Sequence, residues 1–154
     1  MISKSKSIIY TGRGISYALS LEGALKLKEL SYIHAEAIAS GELKHGPIAL
    51  IDKDLYIIAI APLDHLFYKT RSNLEAMASR KGKLICMSTV QGCKELSNIS
   101  YKSIVINHVH NDTEDVIFPL IYTIPLQLIS YHTATLKGNN VDQPRNLAKS
   151  VTVE

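Results

Sequence analysis

Short apolar runs alternate with longer helical patterns along this chain of 154 residues. Three runs, Ser7–Thr11, Leu55–Ala61 and Lys83–Ser88, are almost continuously apolar. Such runs are typical of strands that are buried on both faces, as in a parallel sheet. A shorter strand is predicted at Ser103–Ile106, and a fifth is considered around Ile48–Ile51.

Helical periodicity fills most of the segments between these runs. The pattern predicts helices over Ile15–Ala39, Leu63–Arg80, Gln91–Ser97 and Val116–Leu136. Strands that alternate with helices indicate a parallel α/β sheet with helices on both faces. No internal repeat or linker divides the chain. We therefore expect one domain, built as a three-layer α/β/α sandwich.

The first and last helices carry apolar residues that predict how they pack. One broad face of the first helix is expected to consist of Ala18, Leu21, Leu25, Ile33 and Ala37. The last helix contains Pro119 and Pro125, so it should start late or kink. Its apolar residues are interpreted as core or as an oligomer face: Phe118, Leu120, Leu126, Leu128 and Ile129.

Composition and charge narrow the class of protein. Apolar residues make up 46% and charged residues 20%, as in ordinary globular domains. The net charge is +3 and no basic stripe is present, which argues against nucleic-acid binding. No apolar run reaches the ~18 residues of a membrane span. Cys86 and Cys93 fit no CxxC motif, so we expect reduced thiols in a cytoplasmic protein. No cofactor is expected.

The turn Gly12-Arg13-Gly14 follows the first strand. It is not a dinucleotide fingerprint, because Tyr17 occupies the position of the last glycine in GxGxxG. A loop that opens a helix can still hold an anion at the helix N-terminus. A plain tight turn is the favoured interpretation.

Glu22, Lys26 and Glu29 recur at i, i+4 and i+7 of the first predicted helix, so they share one stripe. Apolar neighbours leave little polar surface around them. A carboxylate beside an ammonium could serve as an acid/base pair, and a structural ion pair is an equally good explanation.

Histidines suggest two further sites. His45 lies in a loop fixed by Gly46 and Pro47, where an imidazole could transfer protons near neutral pH. His108 and His110 precede an acidic loop, and a metal could bind there. Alternation at an exposed strand end explains the second pair better, so no metal is expected.

The C-terminal sequence DQPRNLAKSVTVE has an unusual composition for a chain end. Chain ends usually fray and tolerate any polar residues. This one combines a proline, an arginine, a single lysine and a Val-Thr-Val run. The sequence suggests a tail that docks on the domain and brings Lys149 with it, and a solvated extension is the alternative.

Two long segments together resemble a known family. Leu21–Leu50 and the C-terminal sequence are similar to the second sugar-isomerase (SIS) domain of the glutamine–fructose-6-phosphate aminotransferase (isomerizing), or glucosamine-6-phosphate synthase, family. Ile121–His132 also matches, whereas residues 63–111 match only in pattern. The resemblance implies a flavodoxin-like SIS domain over residues 8–137. Residues 1–7 are then a non-matching extension and residues 138–154 a catalytic tail.

The resemblance also implies a reaction and the residues that perform it. The family converts fructose 6-phosphate and glutamine to glucosamine 6-phosphate and glutamate, the entry to hexosamine biosynthesis. By position, Lys149 forms a Schiff base with the sugar carbonyl and Glu29 moves a proton between C1 and C2. His45, donated by a neighbouring subunit of a homodimer, opens the ring, and Lys26 assists proton transfer. The residues implied to contact the substrate are Ala148, Arg145 and Glu22.

The resemblance covers about the last quarter of the family enzyme. Its glutaminase domain and its first SIS domain, which holds most of the sugar phosphate, have no counterpart in these 154 residues. We expect those domains to be supplied in the same chain or by a partner. Alone, the chain should make no ammonia from glutamine and bind fructose 6-phosphate weakly. Two other functions stay open: a non-catalytic sugar-phosphate-binding or assembly module, and an independent aldose–ketose isomerase.

Overall fold

A five-stranded parallel sheet forms the centre of the protein. The computed structural model describes residues 1–107 and 117–145. Its strands are β1 (Ser7–Gly12), β2 (His34–Ala39), β3 (Tyr56–Ile60), β4 (Lys83–Ser88) and β5 (Lys102–Val105). They pair in the order β2-β1-β3-β4-β5, and every pair is parallel. This is the strand order of flavodoxin-like doubly wound folds.

Helices cover both faces of the sheet. The α-helices of the described residues are α1 (Ile15–Ser31), α2 (Phe67–Ala78), α3 (Val90–Glu95) and α4 (Phe118–Leu136). Buried side chains of α1 and α4 join one hydrophobic cluster with alternate residues of the strands, and α2 joins a second cluster on the other face. The predicted three-layer sandwich is therefore confirmed.

The first helix is shorter than predicted, and the missing strand follows it. Helix α1 ends at Ser31, because Tyr32 adopts a left-handed conformation (φ 57°) and its N–H bonds to the carbonyl of Lys28. Residues 34–39 then extend as β2 along the edge of β1. The prediction of a helix up to Ala39 was wrong. Ala35 is buried between the exposed His34 and Glu36, and Ile38 is buried on the opposite face of the sheet.

The fifth strand considered at Ile48–Ile51 is also wrong. Residues Pro47–Leu50 form a short 3₁₀ helix instead. Gly46 precedes it with φ 130°, a conformation that favours glycine, and Pro47 occupies the first turn, where its missing N–H costs nothing. The segment connects β2 to β3 without joining the sheet.

The buried face of α1 is opposite to the predicted one. Leu21 and Leu25 are 49% and 43% exposed, and Ala18 is exposed as well. The buried residues are mostly small: Ser16, Leu19, Ser20, Gly23, Ala24, Leu27 and Ser31. A Cβ on Gly23 would lie only 2.8 Å from the ring of Tyr10 and 3.0 Å from Leu126. Small side chains thus let α1 approach both the sheet and α4.

Helix α4 presents two apolar faces. It begins at Phe118 with Pro119 in its first turn, and Pro125 lies inside it. Phe118 and Leu126 are buried, whereas Leu120 and Leu128 are 68% and 49% exposed. One face therefore belongs to the core, and the other is open to solvent in the single chain. No helix in the described part of the chain is long and apolar enough to span a bilayer.

Candidate functional site

Three charged side chains line the middle and the end of α1. Lys26 Nζ lies 2.8 Å from a carboxylate oxygen of Glu29 and 4.0 Å from one of Glu22. The three side chains are 27% to 38% exposed, so they are partly shielded from water. The helical spacing predicted from the sequence therefore gives one connected group of two carboxylates around an ammonium.

The ion pair fixes the charge on Lys26. The hydrogen bond to the carboxylate of Glu29 raises the pKa of Lys26 above its usual value, and partial burial opposes this only in part. Lys26 is consequently protonated at neutral pH. A protonated amine can return a proton or stabilise negative charge, but it cannot attack a carbonyl.

The chain that leaves α4 returns to the end of α1. The side-chain amide of Asn139 donates to the carbonyl oxygen of Leu30 at 2.8 Å. The backbone N–H of Arg145 donates to the hydroxyl of Tyr32 at 2.8 Å, and its guanidinium lies 4.1 Å from the centre of that ring. Residues 139–145 are thereby attached to the C-terminal end of α1, at Leu30 and Tyr32, which follow Glu29 in the sequence. Lys149 and Ala148 lie outside the described residues.

His45 is not brought to this group. It is exposed in a turn that follows the carboxyl end of β2, whereas Glu29 precedes the amino end of that strand. Its neighbour Leu43 is buried in the cluster on the α2 face, opposite to α1. His45 and Glu29 of the same chain therefore lie towards opposite ends of β2.

Two residues that hold the returning chain were not predicted from the sequence. Tyr32 supplies both a ring and a hydroxyl, and Asn139 supplies an amide. Tyr32 lies inside the helix predicted from the sequence, so nothing marked it as a cap, whereas Asn139 follows Gly138 and could have been noticed as a turn residue. Neither pattern indicates a partner more than 100 positions away.

The candidate metal site cannot be placed. His108 and His110 lie outside the described residues. Among residues 1–107 and 117–145, no group of three or more histidine, cysteine or acidic side chains is arranged to hold a metal ion. In the charged group on α1, the ammonium of Lys26 lies between the carboxylates of Glu22 and Glu29, so its positive charge would repel a metal cation.

Sequence comparisons identify the family. The model of the SIS domain family matches residues 1–137. Glutamine–fructose-6-phosphate aminotransferase [isomerizing] from Bradyrhizobium diazoefficiens is 54% identical over 153 residues, which are 99% of this chain and 24% of that protein. The Bartonella henselae protein of the same name is 53% identical over 97% of this chain. The chain thus spans about a quarter of the length of these relatives.

Solved structures give the same result. The C-terminal domain of glucosamine-fructose-6-phosphate aminotransferase from Francisella tularensis superposes with a TM-score of 0.81 at 48% identity, over 92% of this chain and 39% of that one. Tagatose-6-phosphate ketose/aldose isomerase from Escherichia coli, at 18% identity, shares the fold with a TM-score of 0.74 over 97% of this chain and 40% of that one. The chain belongs to the SIS domain family and is similar to the C-terminal SIS region of glutamine–fructose-6-phosphate aminotransferase.

Proposed function

We propose that this domain is the sugar-converting part of an enzyme that makes glucosamine 6-phosphate from fructose 6-phosphate and ammonia derived from glutamine. The observation that carries the proposal is the attachment of residues 139–145 to Leu30 and Tyr32, at the end of the helix that holds the Glu22–Lys26–Glu29 group. It supports a site in which the C-terminal tail, residues 138–154, delivers Lys149 to the acid/base pair. The reaction would take place in the cytoplasm.

The first chemical step requires a neutral amine. The Nζ of Lys149 attacks the C2 carbonyl of the open-chain sugar, and water leaves as the Schiff base forms. At a pKa of ~10.4, only a few lysines in ten thousand are neutral at pH 7. Lys26 is even more basic because of Glu29. The nucleophile must therefore be a different lysine whose surroundings disfavour its charge.

Glu29 and Lys26 have the arrangement needed for the following proton transfer. Ammonia then replaces the amine of Lys149 at C2, which breaks the lysine–sugar bond and frees the lysine. Glu29 is ion-paired and can accept a proton from C1 of the resulting imine, and the same carboxyl group can return it to C2. Lys26, 2.8 Å from Glu29, is a cation that can protonate or stabilise a sugar oxygen. Glu22, Ala148 and Arg145 are proposed to contact the substrate.

The position of His45 favours a site shared between two chains. His45 and Glu29 lie towards opposite ends of β2 in one chain, which supports donation of His45 by a neighbouring subunit to open the sugar ring. A two-fold homodimer would then contain two equivalent sites. The glutaminase and first SIS domains would supply ammonia and most of the phosphate contacts, in the same chain or in a partner.

Borohydride trapping with fructose 6-phosphate tests the proposal. The reduced adduct should be located on Lys149 by intact mass and peptide mapping, both in the 154-residue chain alone and after addition of the upstream SIS domain. Lys149→Ala should abolish the adduct, and Lys137→Ala, which removes an exposed lysine beyond α4, should not. An adduct that persists in Lys149→Ala would refute the assigned nucleophile.

A second function is favoured by the apolar surface of the helices. Leu21 and Leu25 of α1 and Leu120, Ile124 and Leu128 of α4 are all exposed in the single chain. A non-catalytic assembly module would use such a surface to pair with another SIS domain. Dimer formation by the chain, together with no sugar adduct in either trapping experiment, would support this function over the catalytic one.

A further inference from the structure

We infer that Tyr32 is a positioning residue for the proposed reaction: its side chain fixes the chain at Arg145, four residues before Lys149, and thereby limits where the nucleophile can be. This role rests on the proposed function, in which Lys149 attacks the sugar. It adds a residue that does not touch the substrate and that sets the rate of adduct formation. Its support comes from the backbone of Tyr32, the contacts of its side chain and the lengths of chain involved.

The backbone of Tyr32 has a conformation that disfavours a tyrosine. Tyr32 ends α1 with φ 57° and ψ 22°, and its N–H bonds to the carbonyl oxygen of Lys28 at 3.1 Å. Helices commonly end with a left-handed residue, which is usually glycine or asparagine because a Cβ is crowded there. A tyrosine in this conformation points to a use for its side chain that glycine could not serve.

The side chain of Tyr32 is used twice, both times by Arg145. Its hydroxyl accepts the backbone N–H of Arg145 at 2.8 Å, and the centre of its ring lies 4.1 Å from the guanidinium carbon of the same residue. Arg145 forms no ion pair with the described residues, so the ring is the partner of its charge. The two contacts together fix the main chain and the side chain of Arg145.

The segment that leads to Arg145 is held in a turn. The side-chain oxygen of Asn140 accepts the N–H groups of Asp142 and Gln143, each at 3.0 Å. Such a turn closes the backbone on itself, and the ring of Pro144 then fixes the next φ angle. The backbone therefore arrives at Arg145 in a defined direction. The hydroxyl and ring that receive it form the last fixed point of the described chain.

Chain length converts this fixed point into an effect on rate. Lys149 is four residues beyond Arg145 and ten beyond Asn139, which would be the last attachment if Tyr32 lost its contacts. The local concentration of the end of a flexible chain falls as about the 3/2 power of the chain length. Lengthening the tether from four to ten residues therefore lowers the concentration of the Lys149 amine about fourfold. An ordered tail would lose more, because reacting groups must also be oriented.

The fixed point is close enough for the tail to reach the acid/base pair. Tyr32 is three residues beyond Glu29 and six beyond Lys26, which corresponds to about 4.5 Å and 9 Å along α1. Four extended residues span up to about 14 Å. The short tether from Arg145 thus keeps Lys149 within range of the proposed base, whereas the longer tether would let it move far away.

Hydrogen exchange, resolved by amide with NMR, tests the contact without reference to the reaction. In the 154-residue chain, Tyr32→Phe removes the acceptor of the Arg145 N–H and keeps the ring. We expect the amide of Arg145 to exchange severalfold faster than in the wild type, while the amides of β1 keep their rates. Tyr68→Phe, which alters an exposed tyrosine on α2, is the matched control and should change neither. An unchanged rate at Arg145 in Tyr32→Phe would overturn the inference.

Borohydride trapping tests the consequence, in the chain combined with the upstream SIS domain. Tyr32→Asn removes the ring and the hydroxyl but keeps a residue that tolerates the left-handed backbone. We expect the maximal rate of adduct formation on Lys149 to fall at least about fourfold in this variant, with Tyr32→Phe in between. The fructose 6-phosphate concentration that gives half the maximal rate should stay the same. A merely structural role would lower the urea midpoint and leave the rate per folded molecule unchanged.

The results separate this role from the proposed function. An adduct on Lys149 that forms equally fast in the wild type and in Tyr32→Asn would overturn the role of Tyr32 and leave the proposed nucleophile intact. A raised half-saturating concentration with an unchanged maximal rate would also overturn it, because Tyr32 would then act on sugar binding. No adduct on Lys149 in the wild type would refute the proposed nucleophile, and the role of Tyr32 would fall with it.

Discussion

The pairing of Lys26 with Glu29 fixes the charge of the lysine and the position of the carboxylate. The ammonium is held protonated by a carboxylate at 2.8 Å, and the same contact keeps that carboxylate directed along the helix. A general base must have a fixed position as well as a suitable charge. The contact with Lys26 supplies that position for Glu29.

Replacing Glu29 should affect catalysis far more than stability. In the complete enzyme, Glu29→Gln removes the proposed base but keeps the size and the hydrogen-bonding ability of the side chain. We expect kcat to fall by about 10²–10⁴, the usual contribution of a general base. Glu75→Gln is a matched control, because Glu75 pairs with Arg71 on α2 outside the site, and its kcat should be unchanged. Equal kcat values for the two variants would exclude Glu29 as the base.

The pH dependence of stability reports the same ion pair. Because the pKa of Lys26 is raised in the folded protein, its stabilising effect is complete below the usual value of 10.5 and is lost as the pH rises through the folded value. The difference in unfolding free energy between wild type and Lys26→Gln should be constant from pH 7 to about 9 and should shrink above about 10.5. Partial exposure limits the difference to below about 1 kcal/mol.

Urea unfolding across this pH range provides the measurement. Lys28→Gln is the control, since Lys28 is exposed on the same helix and has no ion pair in the described structure. A difference for Lys26→Gln that grows with pH would contradict the predicted direction.

At the scale of the element, α1 combines a tightly packed face with an exposed apolar one. Its inner face uses glycine and serine where a larger residue would collide with Tyr10. Leucines lie on both faces: Leu27 is fully buried, and Leu25 is 43% exposed. The same leucine-to-alanine substitution can therefore be compared at a buried and at an exposed position of one helix.

Leu27→Ala should destabilise the chain much more than Leu25→Ala. Removing a fully buried leucine side chain costs about 2–5 kcal/mol of unfolding free energy, because packing is lost and a cavity is left. For Leu25, whose side chain is partly solvated in the single chain, we expect less than about 1 kcal/mol. Chemical denaturation of dilute protein measures both values. Similar losses would mean that Leu25 is buried in solution, and a concentration dependence would point to dimer formation.

The sequence predicted β1, β3 and β4 because their apolar runs are long and fully buried. It failed at β2, where alanines replace the β-branched residues that mark a strand and where Tyr32 adopts a left-handed conformation without glycine. The spacing of large apolar residues does not reveal the buried face of a helix that packs through glycine, alanine and serine. Leu21 and Leu25 were therefore assigned to the buried face of α1, although they are exposed.

The candidate site was only partly accessible to sequence reasoning. The helical spacing correctly placed Glu22, Lys26 and Glu29 side by side. The attachment of Arg145 to Tyr32 joins residues that are 113 positions apart, and no local pattern contains that information. The separation of His45 from Glu29 follows only once β2 is known to be a strand. The roles of these residues stay predictions.

At the scale of the whole molecule, the position of His45 leads to a test of subunit sharing. Mixing inactive His45→Ala and Lys149→Ala forms of the complete enzyme should restore activity. Randomly mixed two-fold dimers should recover about a quarter of the wild-type turnover, because about half are mixed and each of these has one intact site. Steady-state rates after dissociation and reassociation give the answer. Mixing two batches of Lys149→Ala is the control, and no recovery in the mixed sample would place His45 and Lys149 in one chain.

The strand order has a consequence for how the protein is made. Strand β1 receives β2 on one side and β3 on the other, and β4 and β5 then add in the order in which the ribosome delivers them. Each new strand can pair with a neighbour that is already in place, so the nascent sheet grows outward without waiting for distant sequence. The growth stops at β5, which has four mostly exposed residues and offers only a short edge to other nascent chains. We therefore expect this domain to fold during translation with little tendency to aggregate through its β5 edge.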